Sequence, residues 1–112
     1  KGIAMVKPGI RLGDIGHAIQ TFAQGLGFSV VREFCGHGIG KGFHEDPQIL
    51  HYGSPGTGEE IKAGMVFALE TYCPSPDGIS AARIEEEVVI TNNGAQVITK
   101  FPAEKLFITN PY

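Results

Sequence analysis

The sequence of 112 residues has no tryptophan, only two cysteines and no apolar run near the roughly 18 residues that cross a bilayer. Cys35 and Cys73 are too few for a disulfide framework, so we expect a reducing compartment such as the cytoplasm. No secretory signal pattern is present. Nine basic and twelve acidic residues give a net charge of −3, without the broad basic field that nucleic acid requires. We therefore expect neither a membrane nor a nucleic acid as a partner.

The composition is that of a folded protein. Hydrophobic residues make up 42% and charged residues 19%, which excludes disordered and fibrous classes. The length predicts one domain or part of one. Glycine is over-represented: 16 residues, about twice the usual share of roughly 7%. Because glycine allows tight turns and close approach to a ligand, its clusters are the first place to look for a site.

The hydrophobic pattern predicts an α+β fold with a thin core. Lys1–Val6 is typical of the end of a helix, and apolar residues at steps of three and four predict a second helix over 12–26. The segment 36–58 is rich in Gly, His and Pro and is predicted to be a loop. Three or four strands are predicted, at residues 28–32, 65–69, 83–91 and 95–99, with turns at 73–80 and 92–94. This order favours an antiparallel sheet.

The densest group of candidate functional residues is the segment CGHGIGKGFHEDP at residues 35–47. It lacks the Gly-Lys-Ser/Thr ending of a phosphate-binding loop. Its glycines bracket His37, so a substrate or an ion could approach this imidazole closely, and His44 follows seven residues later. A flexible turn with two surface histidines accounts for the same pattern equally well.

Two carboxylates, Glu70 and Glu85, are the next candidates. Glu70 follows five apolar residues, where a carboxylate is costly unless it is paired or bound to metal, or unless the strand has emerged into solvent. Alternation along a strand places Arg83 and Glu85 on one face. They form either a surface ion pair or part of a polar site.

Together, His37, Glu70 and Glu85 make a plausible ligand set for Mn, Fe, Co or Zn. The remaining candidates are weaker. His17 lies on the polar side of the predicted helix, His51 has no partner suggested by spacing, and Cys35 is an unfavourable nucleophile because neighbouring side chains point apart.

The residues resemble a known superfamily. Residues 28–47, with VKPG at 6–9 and the helix after it, resemble the type I methionine aminopeptidases. GMVF at 64–67 leading to Glu70, and RIE at 83–85 before a Val-Val-Ile-Thr strand, are similar to creatinase and Xaa-Pro peptidase relatives. All belong to the pita-bread metallopeptidases. The resemblance covers nearly the whole chain and implies the C-terminal half of a catalytic domain over residues 1–112, with a curved antiparallel sheet and flanking helices.

The resemblance also implies roles. His37, Glu70 and Glu85 would bind two divalent metal ions, and Glu70 would also act as the general base. His44 would hydrogen-bond the scissile peptide, Phe43 would line the pocket for the first side chain, and Arg83 would lie near the substrate. Two Asp ligands of the family are expected upstream, because none of the three aspartates here has the matching context.

The function implied is hydrolysis of the N-terminal peptide bond of peptides or proteins, with the isolated 112 residues inactive. Glu85 is followed by two glutamates instead of His-Thr, and Glu70 by Thr-Tyr instead of Pro-Gly. Methionine and proline specificity therefore both stay open. So do a non-catalytic binding module, a creatinase-like hydrolase of a small non-peptide molecule, and a homodimer.

Overall fold

The computed structural model describes residues 1–101 and residue 105. Two helices precede five strands: α1 (Gly2–Met5), α2 (Leu12–Gly25), β1 (Gly36–Gly38), β2 (Glu45–Ile49), β3 (Val66–Pro74), β4 (Ala81–Thr91) and β5 (Gly94–Val97). The strands form one curved antiparallel sheet in the spatial order β2-β1-β3-β4-β5. The predicted α+β class is therefore confirmed. Residues 102–104 and 106–112, for which the sequence shows little periodicity, lie outside the described residues.

Helix α2 ends within one residue of its predicted bounds. The carboxylate of Asp14 accepts hydrogen bonds at 2.8 Å from the backbone N–H groups of Arg11 and Gly56, which fixes the first turn and ties it to a distant loop. These two hydrogen bonds hold the pKa of Asp14 below its usual range. Gly27, with φ of 81°, follows the helix in the left-handed conformation that glycine adopts readily.

The core joins α2 to one face of the sheet. Phe67 of β3 lies opposite Val88 of β4, and both side chains are fully buried. The buried cluster also contains residues from both helical and loop segments: Val6, Leu12, Ile15, Ile49, Ile61, Leu69 and Ile90. Because side chains alternate along a strand, the residues between these core positions face the other side of the sheet. Glu70 and Glu85 belong to that second face.

Two predictions for the first half of the chain are wrong. Residues 28–32 form no strand, since Val31 makes only one backbone hydrogen bond to Tyr72. The predicted loop contains β1 and β2 instead. A Cβ atom at Gly36 would lie 2.2 Å from the carbonyl oxygen of Ala68, and one at Gly38 would lie 2.2 Å from that of Asp46. These glycines therefore permit strands to approach more closely than larger residues allow.

Strand β3 is longer than predicted. The apolar run was expected to end at Glu70, but β3 continues to Pro74, so Glu70 lies in mid-strand. The tight turn that follows is held by Asp77, whose carboxylate accepts the N–H groups of Ile79 at 2.9 Å and Ser80 at 3.0 Å. The long β3–β4 pairing places Glu70 directly opposite Glu85.

Candidate metal centre

His37 lies in the short strand β1, between the edge strand β2 and the central strand β3. Its Nδ1 atom is 2.9 Å from the carbonyl oxygen of Gly38. Since a carbonyl oxygen can only accept, Nδ1 carries the hydrogen and donates it. In the neutral ring, Nε2 then holds the lone pair, and it lies 3.5 Å from Glu70 Oε1. Metal-binding histidines typically have this tautomer, with the other ring nitrogen donating to a carbonyl or carboxylate group.

Arg83 links the two carboxylates. One guanidinium nitrogen donates to Glu70 Oε2 at 2.7 Å and to Glu85 Oε2 at 2.5 Å. Glu70 is mostly buried, with 14% of its side chain exposed, whereas that of Arg83 is 41% exposed. Hydrogen bonding to Glu70 and the negative charge of Glu85 raise the pKa of Arg83 further above its ordinary value. Arg83 thus holds Glu70 and Glu85 close together. Arg83 and Glu85 share one face of the sheet, as strand alternation predicted.

His44 and Phe43 lie against His37. The ring centroids of His37 and His44 are 4.1 Å apart, and the Phe43 ring packs edge-on at 5.4 Å from His37 and 4.6 Å from His44. His44 is exposed, and Phe43 is 57% exposed. The two residues therefore flank the buried imidazole on its solvent side, where a ligand would enter.

The donor chemistry suits a divalent metal ion. The Nε2 atom of His37 lies 3.5 Å from Glu70 Oε1, so both atoms could contribute to the coordination of one cation. Imidazole nitrogen and carboxylate oxygen are ligands that Mn, Fe, Co and Zn accept. Over residues 1–101 and 105, however, no three His, Cys, Asp or Glu side chains close around a single point. The residues present thus fit a metal ion as part of a larger donor set.

Cys35 is unsuited to act as a nucleophile. Burial and the negative charge of Glu70 raise the pKa of its thiol. A raised pKa lowers the fraction of thiolate, which is the reactive form. This agrees with its low rank on sequence grounds.

Two aromatic residues beside the site, Phe34 and Tyr72, were not predicted from the sequence. Tyr72 stacks on Phe34 with ring centroids 4.8 Å apart, and the guanidinium of Arg83 lies 5.2 Å from the centre of the Tyr72 ring. Because Tyr72 follows Glu70 by two residues and pairs with Arg83, alternation and register together could have predicted its position. These contacts help to hold Arg83 between the carboxylates.

The two remaining histidines differ sharply. His17 is exposed, as its place on the helix predicts. His51 is fully buried, and neither of its ring nitrogens has a hydrogen-bond partner among the described residues. Sequence spacing gave no signal for this burial. Among residues 1–101 and 105, no helix is long and apolar enough to cross a membrane.

A protein-family model matches most of the chain, including all the residues of the candidate metal centre. Residues 1–92 match the model of metallopeptidase family M24. The chain belongs to metallopeptidase family M24. The expected pita-bread fold and the expectation of a divalent metal cofactor therefore both hold for this M24 chain.

The relatives of this M24 chain include enzymes of two specificities. It is 46% identical to a methionine aminopeptidase of Salmonella typhimurium, over 88% of the chain and 43% of the relative. Its fold matches a methionine aminopeptidase of Thermotoga maritima with a TM-score of 0.81 at 41% identity, over 89% of this chain and 47% of that one. The prolidase of Pyrococcus horikoshii matches with a TM-score of 0.72 at 28% identity, over 92% and 28%. The chain spans about half the length of the curated relatives it matches.

Proposed function

We propose that this chain is the C-terminal part of the catalytic domain of a divalent-metal-dependent exopeptidase, which removes the N-terminal residue of peptides or proteins. The observation that carries the proposal is the contact between the lone-pair nitrogen of His37 and the carboxylate of Glu70, beside Glu85. The curated relatives named methionine aminopeptidase support the same reaction. Two metal ions, with two further Asp ligands from upstream of residue 1, complete the proposed site.

Each side chain has a role that its position supports. His37 Nε2, Glu70 and Glu85 would hold the ions, which when bound would supply Lewis-acid chemistry to a water molecule and to the peptide carbonyl group. A carboxylate oxygen of Glu70 accepts the proton of the attacking water. A ring nitrogen of His44 donates a hydrogen bond to the carbonyl oxygen as negative charge develops there.

Phe43 and Arg83, at the solvent-exposed rim of the site, recognise the substrate. Phe43 is half exposed beside His37 and presents an apolar ring to the first side chain of the substrate. Arg83 is partly exposed, so it can contact the substrate while it holds Glu70 and Glu85. Higher identity to methionine aminopeptidases than to prolidases favours methionine as the residue removed. A cytoplasmic location and a homodimer stay predictions.

The test uses the full-length protein that contains this chain. Purified protein is stripped of metal, reloaded with Mn²⁺ or Co²⁺, and assayed on a Met-Ala peptide, an Xaa-Pro peptide and a non-peptide amide. We expect metal-dependent release of the N-terminal residue, fastest from Met-Ala. Cleavage of the Xaa-Pro peptide alone would show that the enzyme has prolidase-like specificity. Metal binding without turnover of any substrate would favour a binding module, and cleavage of the amide alone a creatinase-like hydrolase.

A further inference from the structure

The two oxygens of the Glu70 carboxylate have different partners. Oε1 faces Nε2 of His37 across 3.5 Å, whereas Oε2 accepts a hydrogen bond of 2.7 Å from a guanidinium nitrogen of Arg83. Only 14% of the Glu70 side chain is exposed, and a hydrogen bond between two charged groups is stronger there than in water. One oxygen is therefore engaged by a cation of the chain itself, while the other is directed to the imidazole.

Arg83 is itself held from two further sides. The nitrogen that donates to Glu70 also donates to Glu85 Oε2 at 2.5 Å. The guanidinium carbon lies 5.2 Å from the centre of the Tyr72 ring, a distance at which a cation and an aromatic ring attract each other. Tyr72 stacks in turn on Phe34, with ring centroids 4.8 Å apart. These contacts give the guanidinium a defined position, although 41% of the Arg83 side chain is exposed.

The strand register builds this arrangement into the sheet. Glu70 pairs with Glu85 across strands β3 and β4, and Tyr72 pairs with Arg83 one step further along the same face. Arg83 is therefore the diagonal neighbour of Glu70, at a separation that a long side chain spans easily. The contact between Arg83 and Glu70 follows from the backbone pairing, so we expect it to persist in the full-length protein.

The number of free oxygens on Glu70 affects which ion the site prefers. Ca²⁺ takes roughly six to eight oxygen ligands and often binds both oxygens of one carboxylate, whereas Zn²⁺ typically has about four ligands. An ion chelated by both oxygens of Glu70 would lie next to the guanidinium of Arg83, where two positive charges repel. An ion bound to Oε1 alone would lie on the side of His37, farther from that charge.

We propose that Arg83 is a positioning residue for Glu70: by occupying Oε2, it makes Glu70 bind the metal ion through Oε1 alone and so favours Zn²⁺ over Ca²⁺. This rests on the proposed function, because it takes His37 and Glu70 as ligands. The imidazole of His37 favours transition-metal ions by itself. The contribution of Arg83 is therefore the change in the preference for Zn²⁺ over Ca²⁺ when its hydrogen bond is removed.

The test measures the dissociation constants of Zn²⁺ and Ca²⁺ by titration calorimetry on the full-length protein stripped of metal. Arg83→Met removes the charge and the hydrogen bonds, and Arg83→Lys keeps a charge and N–H donors. Arg32→Met is the matched control, because Arg32 lies 4.5 Å from the centre of the Tyr52 ring and loses the same charge. Losing a positive charge near the site strengthens the binding of every divalent ion, so the ratio of the two constants is the diagnostic quantity.

We expect Arg83→Met to shift the ratio of the two affinities at least about tenfold toward Ca²⁺, the lower end of the effect of groups hydrogen-bonded to metal ligands. Arg83→Lys should restore most of the preference for Zn²⁺, and Arg32→Met should keep the wild-type ratio. A wild-type ratio in Arg83→Met would overturn the proposal, because charge alone would then explain any change in affinity.

A second measurement needs no substitution and so does not depend on a variant folding. In a crystal structure of the full-length wild-type protein with Zn²⁺, we expect Oε1 of Glu70 at bonding distance from the ion and Oε2 still hydrogen-bonded to Arg83. An ion chelated by both oxygens of Glu70, with Arg83 turned away, would overturn this proposal and leave the proposed function standing. Absence of Zn²⁺ and Mn²⁺ binding in the wild type would overturn both.

Discussion

The Nε2 atom of His37 faces Oε1 of Glu70 across 3.5 Å, while Nδ1 of the same ring donates to a backbone carbonyl. The imidazole is thereby locked with its basic nitrogen toward an acidic side chain. Two electron-rich atoms at this separation can serve as ligands of one cation. This contact, with Glu85 on the opposite strand, is the structural basis of the proposed metal centre.

The two histidines of the site should respond differently to substitution. In the full-length protein, His37→Ala should weaken Mn²⁺ binding at least about tenfold, because a nitrogen ligand is lost. His44→Ala should bind Mn²⁺ normally but lower kcat by roughly 10²–10³, the scale for losing one hydrogen bond to a developing negative charge. Calorimetry measures the affinity and steady-state kinetics the turnover.

His44 is the matched control for His37, since the two rings are in contact and carry the same chemistry. Equal loss of Mn²⁺ in both variants would show that their roles are assigned wrongly. Normal binding and normal turnover in His44→Ala would remove it from the reaction.

Arg83 should matter most when metal is absent. Arg83→Met leaves Glu70 and Glu85 without their common cation, so the two carboxylates repel and the unfolding temperature of the metal-free protein should fall. Mn²⁺ supplies positive charge at the same place and should reduce this loss. Arg32→Met is the control, because Arg32 stacks on Tyr52 with its guanidinium 4.5 Å from the ring centre. Differential scanning calorimetry with and without Mn²⁺ measures both; an equal loss in both states for Arg83→Met would contradict the account.

Gly36 should be essential to the site although it bears no side chain. Gly36→Ala places a methyl group 2.2 Å from the carbonyl oxygen of Ala68, so β1 and β3 must separate. We expect a loss of roughly 1–3 kcal/mol in the free energy of unfolding, and weaker Mn²⁺ binding because His37 moves. The control Gly25→Ala meets no atom within 4 Å and lies in helix α2. It should be neutral or stabilising by up to about 1 kcal/mol in urea unfolding; equal effects of the two substitutions would contradict this explanation.

The face that carries the site could be predicted from strand alternation. Arg83 and Glu85 are two residues apart, and Arg83 donates hydrogen bonds to both Glu85 and Glu70, as expected for residues on one face. Helix α2 was predictable for a similar reason, because its apolar residues recur with the helical period. In each case the signal lies within one element, where local periodicity decides which side chains are buried.

Strands β1 and β2 could not be predicted in this way. Glycine-rich segments have low strand propensity, and here the pairing of Gly36 and Gly38 depends on distant partners in β2 and β3. His51 shows the same limit, since its burial results from the packing of helix α2 on residues far away in sequence. Strands β1 and β2 and the burial of His51 depend on long-range contacts, which a local sequence pattern cannot reveal.

His51 should make stability depend on pH. Burial lowers its pKa below the ordinary 6.5, with the charge of Glu70 partly opposing the shift. Below pH 6.5, His51 therefore becomes protonated in the unfolded chain while it stays neutral in the folded chain. The free energy of unfolding falls with pH until the pKa of His51 in the folded state is reached. Asp14 and Asp77 have pKa values lowered from 3.8, so their contribution is lost only in stronger acid. Urea unfolding from pH 7.5 downward should show a first descent below 6.5 that His51→Leu removes; an unchanged descent would assign it to other groups.

The central claim is that His37 and Glu70 bind a metal ion together, and anomalous diffraction tests it most directly. Crystals of the full-length protein grown with Mn²⁺ are measured at the manganese absorption edge. The account predicts an anomalous peak at bonding distance from His37 Nε2 and a Glu70 carboxylate oxygen, with the Glu85 carboxylate turned toward the same centre. Manganese found only elsewhere, with Arg83 still bridging the two glutamates and His37 free of metal, would contradict it.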